Sequence, residues 1–213
     1  MRLAPTQSDS IWAAVHLARY RNDSEEIIAA AKELLGVWPN NLLSLVLLRD
    51  YDYQAGRGDA AFQRFRAAQP DLFDAADPKV NANTWQFAIE IANILTKVGQ
   101  RERADILLNE ALLVIEAMPR LGYRGFGISD VEIYALLGDK EKALSTFATA
   151  VEEGWRFSWR INTETNYNLN SLHDDPRYQA IVLDIQTKMA KQLAQVREWE
   201  ADGELVTVPR LSD

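Results

Sequence analysis

The stretch Ile133-Tyr-Ala-Leu-Leu-Gly-Asp-Lys-Glu-Lys-Ala-Leu-Ser-Thr-Phe-Ala-Thr-Ala150 decides the fold. An apolar run ends at Gly138, a residue type common at helix ends, and a second helical pattern follows it. That pattern places a small, an aromatic and a small residue at Ala143, Phe147 and Ala150. Small side chains let two helices approach closely, and the larger one fills the space between them. The stretch therefore predicts two packed helices joined by a tight turn.

The same plan recurs three more times along the chain. The turns lie at Asn22, Gly56, Gly99 and Gly138, so the spacings are 34, 43 and 39 residues. Equivalent positions after the second and third turns follow the small–large–small plan: Ala61, Phe65 and Ala68, then Ala104, Leu108 and Ala111. The first unit is looser, with Ile27, Ala31 and Leu34 at these positions. The recurrence predicts a repeat array with insertions in two of its units.

These register positions resemble the tetratricopeptide (TPR) repeat, whose period of 34 residues equals the first spacing. The resemblance implies an all-α, right-handed superhelical solenoid of about four helix pairs, with a long C-terminal capping helix. It also implies a protein or peptide partner, because TPR proteins usually bind peptides along the surface formed by the first helix of each pair.

Helix-capping and helix-breaking residues divide the chain further. We expect one solenoid over residues 1–203, and a tail at 204–213. Asp23, Asp59, Asp139 and Asp175 stand where helices should begin, and Asp and Ser are favoured caps. The predicted parts are repeats at about 8–40, 42–76, 85–118 and 124–154, loops at 70–82 and 119–127, an irregular segment at 154–175 and a terminal helix at 176–202.

The terminal helix carries an apolar stripe at helical spacing. A solenoid end needs a cover, so we expect the stripe to cap the last repeat and favour a monomer. A homodimer through the same stripe is the alternative. The stripe consists of Tyr178, Ile181, Val182, Ile185, Met189, Leu193 and Val196.

The amino-acid composition disfavours several classes of function. The 213 residues include 31 acidic and 23 basic ones, a net charge of −8, which disfavours direct nucleic-acid binding because phosphates need a basic surface. The absence of cysteine excludes disulfides, thiolate zinc sites and a cysteine nucleophile. No apolar run reaches the roughly 18 residues of a membrane helix. We therefore predict no nucleic-acid partner and no membrane insertion by this chain.

No motif in the sequence indicates catalysis, a cofactor or a metal. His16 and His173 have no metal-ligand spacing, and the glycines of 122–127 lack the Gly-Lys-Ser/Thr of a phosphate loop. Consecutive acids such as Glu152-Glu153 point in different directions on a helix, whereas acid–base catalysis needs convergent groups. We predict a non-enzymatic protein, with a helical-repeat hydrolase as the enzyme alternative.

The ligand is predicted on the first helix of each pair. Counting back from the turns gives positions that mix aromatic, amide and charged side chains, a composition typical of recognition surfaces. A small effector is a second candidate ligand, and the aromatic segment Trp155–Trp159 is a second candidate site. The predicted binding residues are Trp12, His16, Arg19, Tyr20, Asp50, Tyr53, Gln54, Gln86, Asn93, Lys97 and Glu132.

The second half of the chain resembles a narrower group. The strings at 133–139, 143–156, 172–178 and 189–193 are similar to the C-terminal TPR regions of bacterial CadC/ToxR-like winged-helix regulators and related multidomain signalling proteins. The resemblance implies a sensory or interaction domain, periplasmic if the chain is the C-terminal part of such a regulator. A freestanding cytoplasmic adaptor that scaffolds a complex is the alternative.

Overall fold

A computed structural model describes residues 8–21, 23–74, 77–122 and 125–205, and within them the regular elements are all helical. Four pairs of consecutive helices pack against each other across short turns: α1–α2, α3–α4, α6–α7 and α8–α9. The predicted all-α repeat fold is confirmed. The helices are α1 Ser8–Arg21, α2 Ser24–Val37, α3 Leu42–Gln54, α4 Gly58–Ala68, α5 Pro70–Asp74, α6 Trp85–Lys97, α7 Arg101–Ile115, α8 Ser129–Leu137, α9 Lys140–Glu152, α10 Trp159–Glu164 and α11 Pro176–Ala201, with a 3-10 turn at Tyr167–Leu169.

The small–large–small positions lie in the core between paired helices. Ala143, Phe147 and Ala150 are fully buried in the fourth pair. In the second and third pairs the equivalent Ala61, Phe65, Ala104, Leu108 and Ala111 are fully buried as well. These small and large side chains lie where paired helices meet, so the register follows from packing.

Three of the four predicted turns end a helix in the left-handed backbone region. Gly56, Gly99 and Gly138 have φ values of 70°, 80° and 82°, which residues with a Cβ rarely adopt. The first predicted turn, at Asn22, lies outside the described residues. Each glycine lets the chain reverse within a few residues, and this brings consecutive helices side by side.

Three of the four predicted aspartate caps are present. Side-chain oxygens of Asp23, Asp139 and Asp175 accept hydrogen bonds from backbone N–H groups at the starts of α2, α9 and α11, at 2.9–3.0 Å. The prediction for Asp59 is wrong, because α4 begins at Gly58 and Arg57 holds the cap position without a side-chain cap bond. Asp59 lies in the first turn instead, where its charge complements the helix dipole.

The predicted loop at 70–82 begins with a helix. The helix α5 forms over Pro70–Asp74 because Leu72 and Phe73 bury themselves in the core that contains Phe65 and Trp85. Residues 75–76 lie outside the described part.

An ion pair joins the predicted loop at 119–127 to the start of α8. The Arg120 guanidinium donates to both carboxylate oxygens of Asp130, at 2.8 and 2.9 Å, and to the carbonyl oxygen of Gly127. Residues 123–124 lie outside the described part. The ion pair attaches the loop to the start of α8.

The helix α11 covers the last pair with its first half. Tyr178 and Ile185 are buried with Phe147 and Trp155, and Met189 packs against the same cluster. Trp159 also packs there, so both tryptophans of the second candidate site contribute to the joint between the last pair and α11. The segment 154–175, predicted to be irregular, contains α10 and the 3-10 turn. None of the described helices is both long enough and apolar enough to cross a membrane.

Candidate functional site

The helices α3, α6 and α8 form one continuous surface. The helix α6 contacts α3 on one side and α8 on the other, and each of these is the first helix of its pair. We call the surface of α1, α3, α6 and α8 that turns away from their second helices the first-helix face. The predicted binding residues lie on these four helices.

The middle of the first-helix face is covered by the chain itself. The 3-10 turn Tyr167–Leu169 packs against α8. The ring of Tyr167 lies 5.8 Å from that of Tyr53 on α3, measured between centroids, and Asn168 is bonded to Asn93 on α6. The sequence analysis did not predict this contact. The face therefore already holds a segment that comes from a distant part of the chain.

A group of buried and partly buried polar side chains holds the 3-10 turn by hydrogen bonds. We call Arg49, Glu90, Asn93, Glu132 and Asn168 the central polar cluster. The Asn93 amide donates to the Asn168 side-chain oxygen at 2.8 Å, and the Asn168 amide donates to Glu132 at 2.8 Å and to Glu90 at 3.3 Å. One asparagine side chain thus joins two neighbouring first helices.

Arg49 supplies the positive charge of this cluster. Its side chain is 1% exposed and forms ion pairs with Asp50, at 2.7 Å, and with Glu90. Burial by itself lowers the pKa of Arg49, but the carboxylates of Glu90 and Asp50 reverse that effect, so its pKa lies above the ordinary value. The guanidinium stays charged and holds α3 against α6.

This region holds more carboxylates than cations, and the pKa values of two of its acids are raised. Burial, together with the charge of Glu90, raises the pKa of Glu132 to about 7, although the hydrogen bond from Asn168 opposes the rise. Burial also raises the pKa of Asp50 to about 6, against the attraction of Arg49. Both acids prefer the protonated state more than a solvated carboxyl does.

Tyr53 marks the edge of the covered region. Its hydroxyl bonds the Asn93 side-chain oxygen at 3.3 Å, and burial raises its pKa. The Lys97 ammonium lies 4.7 Å from the centre of the Tyr53 ring, within the range of a cation–π contact. A shallow cavity of about 360 Å³ begins beside these two residues and is bounded by Gly56, Asp59 and Ile94.

The N-terminal end of the first-helix face is open. Trp12 is 46% exposed and its ring lies 4.0 Å from that of His16, while Tyr20 is 87% exposed. Burial and the nearby Arg19 charge lower the pKa of His16, so the imidazole is neutral at pH 7. Burial lowers the pKa of Arg19 too, and the charge of Asp50 opposes that decrease. Aromatic and cationic groups therefore lie side by side at this end.

The structure divides the predicted binding residues into three groups. Asp50, Tyr53, Asn93, Glu132 and Lys97 lie in or beside the central polar cluster. Trp12, His16, Arg19 and Tyr20 lie on α1. Gln54 and Gln86 are exposed, and neither joins the hydrogen-bonded cluster.

Sequence reasoning missed Arg49, Glu90 and Asn168. A signal existed for Glu90, because Gln86, Glu90, Asn93 and Lys97 follow the spacing of one helix face. Arg49 and Asn168 gave no such signal, since charged and amide residues are ordinarily exposed.

Glu132 is a candidate for acid–base chemistry because of its pKa, but its surroundings point to a structural role. Its carboxylate accepts the Asn168 hydrogen bond beneath the 3-10 turn, whereas a catalytic group must reach a substrate. The cavity beside Tyr53 is lined by other residues. Among the described residues, no group of three or more His, Asp or Glu side chains is arranged to hold a metal ion.

Comparisons with known proteins assign no family. No family model matches the chain, and no curated protein matches it. The crystal structure of MamA protein is similar over 97% of this chain and 100% of that chain, with 16% sequence identity and a TM-score of 0.38. A similarity at that level names neither a family nor a partner for this chain.

Proposed function

We propose that this chain is a non-enzymatic protein-interaction module that binds a peptide segment on the first-helix face. One observation carries the proposal. The face already holds a segment from elsewhere in the chain, through hydrogen bonds that Glu90, Asn93 and Glu132 make with Asn168. Side chains from consecutive first helices thus converge on one short piece of polypeptide, and a bound peptide would need the same convergence.

The open N-terminal end is the proposed place for the partner. Trp12 and Tyr20 offer exposed aromatic surface, and Arg19 offers a partly buried cation. Aromatic and arginine side chains supply most of the binding energy in protein interfaces. The covered centre is occupied, so a peptide that enters from the α1 side would extend toward Tyr53 and Lys97.

Peptide selection followed by affinity measurement tests the proposal. Random peptides are displayed and selected on the immobilised chain, and the selected ones are labelled and titrated by fluorescence anisotropy. We expect Tyr20→Ala to weaken binding by roughly tenfold, the loss of one anchor residue. Leu113→Ala is the matched control, because Leu113 is 62% exposed but lies on α7, the second helix of its pair.

Two results would contradict the proposal in different ways. Equal losses in the Tyr20 and Leu113 variants, or no loss in either, would move the site away from α1. A selection that yields no peptide above the background of an unrelated helical protein would contradict peptide binding itself, and titration of small molecules would then test the effector alternative.

The resemblance to CadC/ToxR-like regulators supports a finer proposal. In it, the module is the sensory or interaction domain of a bacterial signalling or transcription-regulatory protein. A freestanding adaptor is the alternative, and the two differ in the size of the native polypeptide. Immunoblots of fractionated source cells would show a much larger membrane-associated band for the regulator, and a soluble band at the mass of 213 residues for the adaptor.

A further inference from the structure

The 3-10 turn Tyr167–Leu169 is a short attachment between two exposed pieces of chain. Residues 164–165 before it and 170–171 after it are exposed, whereas Asn168 and Leu169 are buried. The turn is therefore joined to the rest of the molecule at few points. A segment of this kind opens locally at a lower free-energy cost than the packed helices around it.

Asn168 is the point where the turn meets the first helices, and it lies between two carboxylates. Its amide nitrogen is 2.8 Å from a Glu132 oxygen and 3.3 Å from both Glu90 oxygens. Glu90 on α6 and Glu132 on α8 therefore face each other across one nitrogen atom. Two ionised carboxylates in this arrangement repel each other, most strongly where water is excluded.

The other groups near Glu132 offset this repulsion only in part. The Arg49 guanidinium attracts the Glu132 charge, but it is already paired with Glu90 and Asp50. The helices α7 and α9, which pack on other sides of α8, contribute apolar side chains to the core there. The titratable and polar groups that act on Glu132 are Glu90 on α6, Arg49 on α3, Asn166 and Asn168 of the turn segment, and Tyr178 on α11.

We propose that the 3-10 turn is a pH-dependent cover of the first-helix face. It stays in place while Glu132 is protonated, and it detaches when Glu132 ionises beside Glu90. Detachment admits water to the two carboxylates and exposes Asn93, so the centre of the face becomes available to a partner. The availability to a partner rests on the proposed function, whereas the opening itself does not.

The direction of the effect follows from the surroundings of Glu132 in the closed state. Burial, and then the charge of Glu90, raises the pKa of Glu132 to about 7, and the Asn168 hydrogen bond opposes the rise. Opening removes the largest cause, burial, so the pKa falls toward the ordinary value of a glutamate. The closed state thus binds the proton more tightly. Its advantage is complete below the ordinary pKa and is lost as the pH rises to about 7.

Hydrogen exchange followed by NMR between pH 5 and pH 8 tests the opening in the unaltered chain. The backbone N–H groups of Asn168, Leu169 and Asn170 donate within the turn segment, so their exchange reports its opening. After correction for the intrinsic pH dependence of exchange, we expect the opening equilibrium to rise by roughly tenfold or more over this range. Leu108, fully buried on α7, reports unfolding of the whole molecule.

Two results of this measurement would overturn the cover. One is an opening equilibrium at the turn that does not change with pH. The other is protection at the turn equal to that of Leu108 at every pH, because the turn would then open only when the whole molecule unfolds. We expect the turn to be less protected than Leu108 throughout.

Glu132→Gln is the matched variant, because glutamine cannot ionise. Its turn should open to the same extent at pH 5 and pH 8. A pH dependence that persists in this variant would overturn the role of Glu132.

The selected peptides test whether the opening exposes a binding surface. They are titrated against the wild type and Glu132→Gln at pH 6 and pH 8, so that ionisation of the peptide and of α1 affects both proteins equally. We expect the affinity of the wild type relative to the variant to rise severalfold at pH 8. A constant ratio would overturn the exposure of the centre and leave a site at α1. If no peptide is selected, the proposed function fails, while the exchange measurements still decide the opening.

Discussion

The centre of the first-helix face and its N-terminal end are both built from first helices but have different surroundings. At the centre, Arg49, Asn93 and Asn168 are buried in a network of hydrogen bonds and ion pairs. At the N-terminal end, Trp12 and Tyr20 are exposed to solvent. The difference arises because the 3-10 turn contacts α3, α6 and α8, whereas the exposed aromatic side chains lie on α1. A place on a first helix thus puts a side chain on this face, while a distant segment determines whether it becomes core.

The two regions should differ most in the stability they lose when an arginine is replaced. Arg49→Leu should lower the free energy of unfolding by about 3–5 kcal/mol, because it leaves Asp50 and Glu90 as partly buried carboxylates without a cation. Arg21→Leu, at the end of α1, should change it by about 0.5 kcal/mol or less, because its pair with Glu26 is exposed and 3.6 Å long. Urea denaturation followed by circular dichroism measures both values.

Similar losses in the two variants would remove the distinction between the regions. A small loss for Arg49→Leu would mean that the centre tolerates the two carboxylates without the guanidinium. Repeating the Arg49→Leu measurement at pH 5 checks this point, since Asp50, whose pKa is raised to about 6, is then largely protonated and the loss should be smaller.

The sequence was sufficient for the repeat architecture because its determinants are local. Glycine turns, aspartate caps and the buried Ala143–Phe147–Ala150 spacing each depend on residues a few positions apart. The covered centre of the face was not predictable in the same way. It depends on a bond between Asn93 and Asn168, which are 75 residues apart, and nothing local marks Asn168 among the asparagines of its segment.

Arg49 shows that burial, too, could not be predicted from local sequence. The sequence places it beside Asp50 on a helix, where an arginine ordinarily keeps its head group in water. Only the packing of α6 against α3, with Glu90 aimed at the guanidinium, makes it one of the most buried large side chains.

The second prediction concerns pH and separates the centre from the rest of the molecule. Because the pKa of Glu132 is raised to about 7 in the folded state, its unfolded form releases the proton at lower pH. The free energy of unfolding should therefore fall as the pH rises from 5 to 8, by an amount on the order of 2–3 kcal/mol from this group. Asp50, with a pKa raised to about 6, acts in the same direction.

Glu132→Gln isolates this contribution. Glutamine keeps an oxygen that accepts from Asn168 but carries no proton to release, so the variant should match the wild type at pH 5 and exceed its stability at pH 8. Urea midpoints at several pH values give the comparison. Parallel curves for the two proteins would show that Glu132 ionises normally and that the centre is more hydrated than its contacts indicate.

The smallest expected effect comes from the asparagine that joins the helices. Asn168→Ala should lower the free energy of unfolding by about 2 kcal/mol, because it removes the partner of the buried Asn93 amide N–H and one hydrogen bond to the Glu132 carboxylate. Asn170→Ala, two residues further on and exposed, is the control with little expected change. Hydrogen exchange should become faster at residues 167–169 only in the first variant. The Asn168 hydrogen bond also lowers the pKa of Glu132, so its removal should shift the pH-dependent loss of stability to higher pH. A loss of stability without that shift would mean that the 3-10 turn is held by Tyr167 and Leu169 and that Asn168 only fills space beside the carboxylate.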